Sequence, residues 1–358
     1  MRFKSSIKAT NAFIKLTGSL SLLGKIAWMR LDNDQVRFTV IPEQGTQVWA
    51  VLSIDSIFED DYTIQSAAGN NTINLEVPLG PLNRALKSAQ NSISASIRLT
   101  KKDNAPLLSL TIVIPTPVVS GRALSHVDNQ SQHHPDDGIP GNPGLRETTI
   151  TQDVAVRVLP AAAVEGIHEP RSPDPEVHIL LPPLMQLKAI SERFTKLGLA
   201  PLRGGASTNT RTSSFIDQNT NQVGLQGGSG SGPRLEISAN MHGELRIGIR
   251  TDALTVQSKW SGLSNPELDP NQVEGGDAGL ANHPSTRMRN LEGEESWATV
   301  RVEGRDWGRV LGVGRMGGRV VACFCHDKAL ILYVYLPSDE LGGGEDSVLT
   351  YYIQSYAA

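Results

Sequence analysis

Residues 79–102 read LGPLNRALKSAQNSISASIRLTKK. Leu82, Ala85, Leu86 and Ala89 fall at i, i+3, i+4 and i+7, the apolar stripe of a helix resting on a core. Arg84, Lys87, Ser88 and Asn91 fall on the other side. The period then drops to two at Ile93, Ala95, Ile97 and Leu99, so a strand follows. The helix therefore lies on a sheet and turns a basic, small-polar face outward. Such a face is either an ordinary solvated surface or one built to lie against an anionic polymer.

The same units recur along the chain. The first half predicts strand 2–9, helix 11–23, strands 26–31, 36–41, 47–54 and 73–77, helix 79–90, and strands 94–100, 107–114 and 150–158. The second predicts strand 177–181, helix 183–197, strands 234–239, 244–250, 254–260 and 297–302, helix 304–313, and strands 319–326, 329–336 and 347–355. LNRALK at 82–87 aligns with WGRVLG at 307–312, and LSLTIVIP ending at Pro115 with LILYVYLP ending at Pro337. The organisation is a duplicated α+β unit, each copy with two helices packed on antiparallel sheets. The expected domains are 1–159 and 177–358, joined by a proline-rich linker over 160–176. Three stretches, 116–148, 198–233 and 264–296, are rich in Gly, Pro or acids and read as loop insertions too polar to offset their ordering entropy.

With 358 residues, the chain exceeds what one core usually holds, in keeping with two domains. No run of 18 apolar residues indicates a membrane span, and MRFKSSIKA at the start lacks the apolar segment of a signal peptide. Cys323 and Cys325 lie two apart on a strand, among Val and Phe, and read as buried reduced thiols, which fits intracellular residence. The net charge of −4 argues at first against nucleic acid. Residues 264–296 alone carry −5, however, and leave the rest at +1, a body that can still present a one-sided basic face.

Catalytic patterns are weak. Gly312-Val313-Gly314-Arg315-Met316-Gly317 has the GxGxxG spacing, but a helix precedes it and a strand follows, the reverse of a dinucleotide site. A helix end and turn is the better reading. His126, His133 and His134, with Asp136 and Asp137, sit in a loop that offers no pre-set ligand geometry. No nucleophile elbow, P-loop or convincing carboxylate pair is present. The expectation is no enzyme, no cofactor and no metal. What remains are cations on the outer faces of all four helices: Lys15; Arg84 and Lys87; Lys188, Arg193 and Lys196; Arg305 and Arg309. The third helix buries the stripe Leu187, Ile190, Phe194 and Leu197, and only Glu192 and Asp306 oppose the cations. No aromatic residues interleave, so base stacking is not indicated.

MRFKSSI, LNRALKSAQN followed by IRLTKK, ITQDVAVRVLP, HEPRSPDPEVHILLP and ANMHGELRIGI resemble the Hus-type subunit of the checkpoint sliding clamp. The resemblance covers most of the chain outside the three insertions. It implies a PCNA-like fold with helices inside and sheets outside. It further implies a ring of three different clamp-like subunits around double-stranded DNA in the nucleus, placed by a clamp loader and used to recruit checkpoint-kinase activators and repair factors. The helical cations would then meet phosphates, without sequence preference. The linker would be an interdomain connector. Ring edges would fall at 150–158, with Ile150, Asp153, Val154, Val156 and Arg157, and at 254–260, with Leu254, Val256 and Lys259. Two other classes stay open: a duplicated-fold scaffold for nucleic acid or protein that forms no ring, and a metal-dependent nuclease.

Overall fold

A computed structural model describes residues 1–43, 45–68, 70–116, 146–199, 233–252, 254–268, 270, 276–337 and 347–356. The histidine-rich cluster of 126–137 and the Gly/Ser stretch of 203–231 lie outside the described residues. The first half contains β1 (Arg2–Ser6), α1 (Thr10–Leu20), β2 (Ile26–Leu31), β3 (Gln35–Val40), β4 (Gln47–Ser53), β5 (Thr63–Gln65) and β6 (Ile73–Pro78). It continues with α2 (Leu79–Ser88), β7 (Ser94–Lys102), β8 (Ala105–Thr116), β9 (Arg146–Ala155) and the short β10 (Arg157–Val158). After a turn of helix in the linker, α3 (Ala161–Val164), come β11 (Val177–Leu180), α4 (Leu184–Leu199), β12 (Arg234–Asn240), β13 (Leu245–Arg250) and β14 (Thr255–Trp260). The chain closes with α5 (Gly276–Asn282), α6 (Pro284–Arg289), β15 (Trp297–Glu303), α7 (Gly304–Val310), β16 (Arg319–Cys325), β17 (Ala329–Tyr335) and β18 (Val348–Gln354).

The repeat is visible in the sheet order. The quartet β6-β2-β3-β4 is matched by β15-β12-β13-β14, and β1-β7-β8-β9 by β11-β16-β17-β18. Two of these quartets meet edge to edge inside the chain. β4 pairs antiparallel with β18, Val48 opposite Tyr351 and Val51 opposite Val348, which makes a nine-stranded sheet shared by both halves. The other two stay apart, as a five-stranded sheet ending at β9 and a four-stranded sheet ending at β14.

The alternating apolar residues of these strands and the helix stripes form one buried cluster, from Phe3, Phe13 and Phe38 to Ile247, Trp307 and Tyr351. Burying each large apolar side chain contributes about 1.5–3 kcal/mol, so the stripes fix which helix face turns inward. The α2 stripe is buried as its spacing requires: Leu82, Ala85, Leu86 and Ala89 are each at most 4% exposed.

Several expectations are corrected. On α4, Leu197 is exposed and the buried positions include Ser191, Thr195 and Gly198. A Cβ on Gly198 would overlap Ile249 Cδ1, so the helix presses on β13 at the residue after Leu197. The region 264–296 is more than loop. It holds α5, α6 and a 3-10 turn at Gly293–Ser296, and it covers β11: Leu180 donates its N–H to Ser264 O, and Asn265 Nδ2 donates to His178 O. The fourth helix is α-helical only to Val310 and continues as a 3-10 turn, Leu311–Met316, which contains most of the GxGxxG stretch. There Gly314 packs so tightly on α4 that an added Cβ would sit 2.7 Å from Leu184 Cβ. The strand expected over 150–158 breaks at Val156: β9 stays in the five-stranded sheet, whereas β10 pairs with β6 in the other.

Candidate nucleic-acid interface

Each half contributes a helix pair, and the pairs touch: α1 packs on α2, α4 on α7, and α1 on the 3-10 turn that follows α7. The buried sides of these helices face the sheets, so the exposed sides form the opposite surface. On it, cations come at i,i+3 or i,i+4 spacing, which places each pair on one helical face. Arg84 and Lys87 on α2, Arg193 and Lys196 on α4, and Arg305 and Arg309 on α7 are all exposed. Lys87, Lys196 and Arg309 lie in last turns, where the helix dipole favours positive charge. Lys15 and Lys188 are half-buried; Lys188 Nζ lies 3.8 Å from Glu192 on the next turn.

The two opposing acids are largely engaged. Glu192 faces Lys188, while Asp306 Oδ2 accepts a 2.5 Å hydrogen bond from Thr46 Oγ1 and is turned toward the loop before β4. Glu303 caps α7 by accepting from the Asp306 N–H at 2.7 Å. The surface therefore has cationic character from all four helices although the whole chain is acidic.

Two sheet edges complete the candidate site. Neither β9 nor β14 has a second strand neighbour among the described residues. On β9, Ile150 is half-buried opposite Ile112, Val154 is buried opposite Leu108, and Asp153 is exposed with no polar partner among the described residues. On β14, Val256 is half-buried opposite Ile249, with Leu254 just before it. The structure separates some of the expected edge residues. Arg157 leaves the β9 edge for β10 and forms an ion pair with Glu76, and Val156 is buried between the two strands. Lys259 is held 2.6 Å from Glu244, whose carboxyl its hydrogen bond keeps below the usual range.

Sequence reasoning missed the polar ties between helices, Asn83 to α1 and Trp307 to α4. An amide among apolar stripe residues was the available signal for the first; nothing local signals the second.

A layer of four helices backed by sheets, made twice over from one unit, is the sliding-clamp fold. The structure of Proliferating Cellular Nuclear Antigen from Entamoeba histolytica covers 99% of this chain and 99% of its own, with a TM-score of 0.58 at 11% identity. The family described as Hus1-like protein matches residues 1–357. Checkpoint protein hus1 of Schizosaccharomyces pombe is 34% identical over 359 residues, 99% of each chain. Checkpoint protein HUS1 of Homo sapiens is 24% identical over 274 residues, 75% of this chain and 76% of that one. The chain belongs to the Hus1-like protein family and has the sliding-clamp fold.

Proposed function

We propose that this chain is the non-catalytic Hus-type subunit of a heterotrimeric ring that encircles double-stranded DNA in the nucleus. A clamp loader places the ring, and its outer surface recruits checkpoint-kinase activators and repair proteins. The observation that carries the reading is the β4–β18 junction. These are the terminal strands of two equivalent quartets, and they pair antiparallel within the chain. By the repeat, β14 is the counterpart of β4 and β9 the counterpart of β18, and both are left without a neighbour among the described residues. A strand edge of this kind invites pairing. Two clamp-like neighbours, one on each edge, repeat the internal junction between chains and close a ring with the helices inside.

Within that ring the helical cations contact phosphates. This supports binding that is independent of sequence and sensitive to salt. The domains are 1–159 and 177–358, with 160–176 connecting them along the outer surface. Asp153 is the edge charge best placed to discriminate between unlike neighbours, since opposite charges across strands contribute about 0.2–1 kcal/mol.

Two measurements test the proposal. Arg84, Lys87 and Arg309 changed together to Glu, in a ring assembled with two partner clamp subunits, should weaken DNA retention. The slope of log affinity against log salt should flatten by about 0.9 for each phosphate no longer neutralised. Retention that is unchanged across salt concentrations would remove DNA from the reading. Light scattering of the chain alone should find monomer or aggregate, and a stable three-fold assembly of this chain by itself would replace the heterotrimer with a homotrimer.

A further inference from the structure

Away from the helical cations and both open edges, α5 and α6 fold over the outer side of β11 and leave a cavity of about 410 Å³. Its floor is His178, 3% exposed, with neither ring nitrogen hydrogen-bonded among the described residues. The Pro266 carbonyl is close enough to favour a ring N–H but falls outside hydrogen-bond geometry. A buried polar group left unmatched costs stability, so a side chain with two unmatched nitrogens facing a cavity marks a place for a polar guest.

We propose that this cavity receives a basic side chain, an arginine guanidinium or its ammonium equivalent, presented by a partner protein. The charges lining it select the sign. Glu267 and Asp277 reach the opening as exposed carboxylates, and neither has a hydrogen-bond or ion-pair partner among the described residues. Against them stands one cation, Arg289, likewise unpaired among the described residues and on the exposed end of α6. Burial holds His178 below its ordinary pKa, with His283 and Arg289 adding to the shift, so the ring is neutral and offers a lone pair to a guest N–H. The hydroxyls that would otherwise receive an anion are already engaged: Ser285 Oγ with His283 Nδ1 at 2.8 Å, and Thr286 Oγ1 with Leu280 O at 2.8 Å. Leu268, Leu280 and Ala281 give apolar wall for a methylene stem. No group of three metal-ligating side chains forms here among the described residues. Arg289 then faces the peptide next to the inserted residue and favours an acidic neighbour there.

The test uses the full chain labelled with ¹⁵N only at histidine, with the His178 ring signals assigned from a His178→Phe variant. Nα-acetyl-arginine amide should shift those signals saturably, with a dissociation constant on the order of a millimolar, as befits one side chain without its peptide. The citrulline counterpart, equal in shape but uncharged, should leave them in place. Glu267→Gln with Asp277→Asn, both on the exposed opening, should weaken binding by about tenfold or more. His178→Phe should melt no lower than the parent, because it removes an unmatched buried polar group, while saturation transfer to the arginine amide disappears. His178 signals that ignore the arginine amide, equal response to citrulline, unchanged affinity in the double variant, or a response to inorganic phosphate instead would each overturn the proposal. If His178→Phe fails to fold, the double variant alone decides.

Discussion

Each half of the molecule ties its two helices together through a buried side-chain donor, and the two ties are built differently. In the first half, Asn83 on α2 donates through Nδ2 to Ile14 O at 2.8 Å and Thr17 Oγ1 at 2.9 Å on α1. In the second, Trp307 on α7 donates through Nε1 to Ser191 Oγ at 3.0 Å on α4. When 82–87 is laid over 307–312, Trp307 falls on Leu82 and Gly308 on Asn83. The donor has moved by one position and changed from amide to indole. What the repeat retains is the need for a directional tie between two otherwise apolar faces, not the residue that supplies it. The size of the donor offsets a shorter helix: α7 has 7 residues where α2 has 10, and it then tightens into a glycine-bearing turn against α4.

That contrast can be broken most severely at Trp307, which is 1% exposed and among the largest fully buried side chains. Trp307→Ala should cost about 3–5 kcal/mol in denaturant unfolding. Trp307→Phe separates the ring from its N–H; if it unfolds like the parent, the tie is packing alone and the comparison with Asn83 fails. Gly314→Val should cost about 1–3 kcal/mol, because its Cβ would land on Leu184 and α4 cannot recede without opening the core. Asn83→Ala should cost less, about 1 kcal/mol, since Thr17 Oγ1 keeps its own bond to Phe13 O. Gly308→Ala should go the other way and stabilise by about 0.5–1 kcal/mol, because nothing lies within 4 Å of the added Cβ and the helix loses a flexible residue.

The smallest expected effect sharpens the comparison through pH. Burial lowers the His178 pKa from 6.5 in the folded chain. As pH falls below that value, the unfolded chain takes up a proton that the folded one refuses, and stability declines until the folded pKa is reached. The Pro266 carbonyl opposes that shift, while His283 and Arg289 reinforce it; the carboxylates of Glu267 and Asp277 line the same cavity. Melting temperatures at about pH 7.5 and about pH 5.5 should therefore drop further in the parent than in His178→Phe.

Much of this architecture was legible in the sequence because strands and helices with one buried face write their period into the order of residues. The strand 26–31 and the α2 stripe needed nothing else. Reading fails where a contact from elsewhere decides. Leu197 belongs to the apolar period of α4, yet Gly198 is the residue pressed on Ile249, and no helical pattern reveals the position of a strand. The α5–α6 segment is polar in composition and gains its order from covering β11. His178 sits in an apolar run and gives no sign that its ring is left unmatched. The cations on the helices were readable as types and spacings. That Arg157 turns away to Glu76 depends on a break at Val156, where the N–H goes to Pro106 O and the chain crosses to the other sheet.

The seam between β4 and β18 also sets a timetable for biosynthesis. About 300 residues separate the two strands, so a ribosome adding roughly 5–20 residues each second leaves β4 waiting for roughly 15–60 s before its partner emerges. Throughout that interval the nascent chain carries a strand edge, Trp49 and Val51 among its residues, without its partner. An unpaired edge of that kind invites pairing with like edges, so the delay is the interval in which misassembly competes with the native seam.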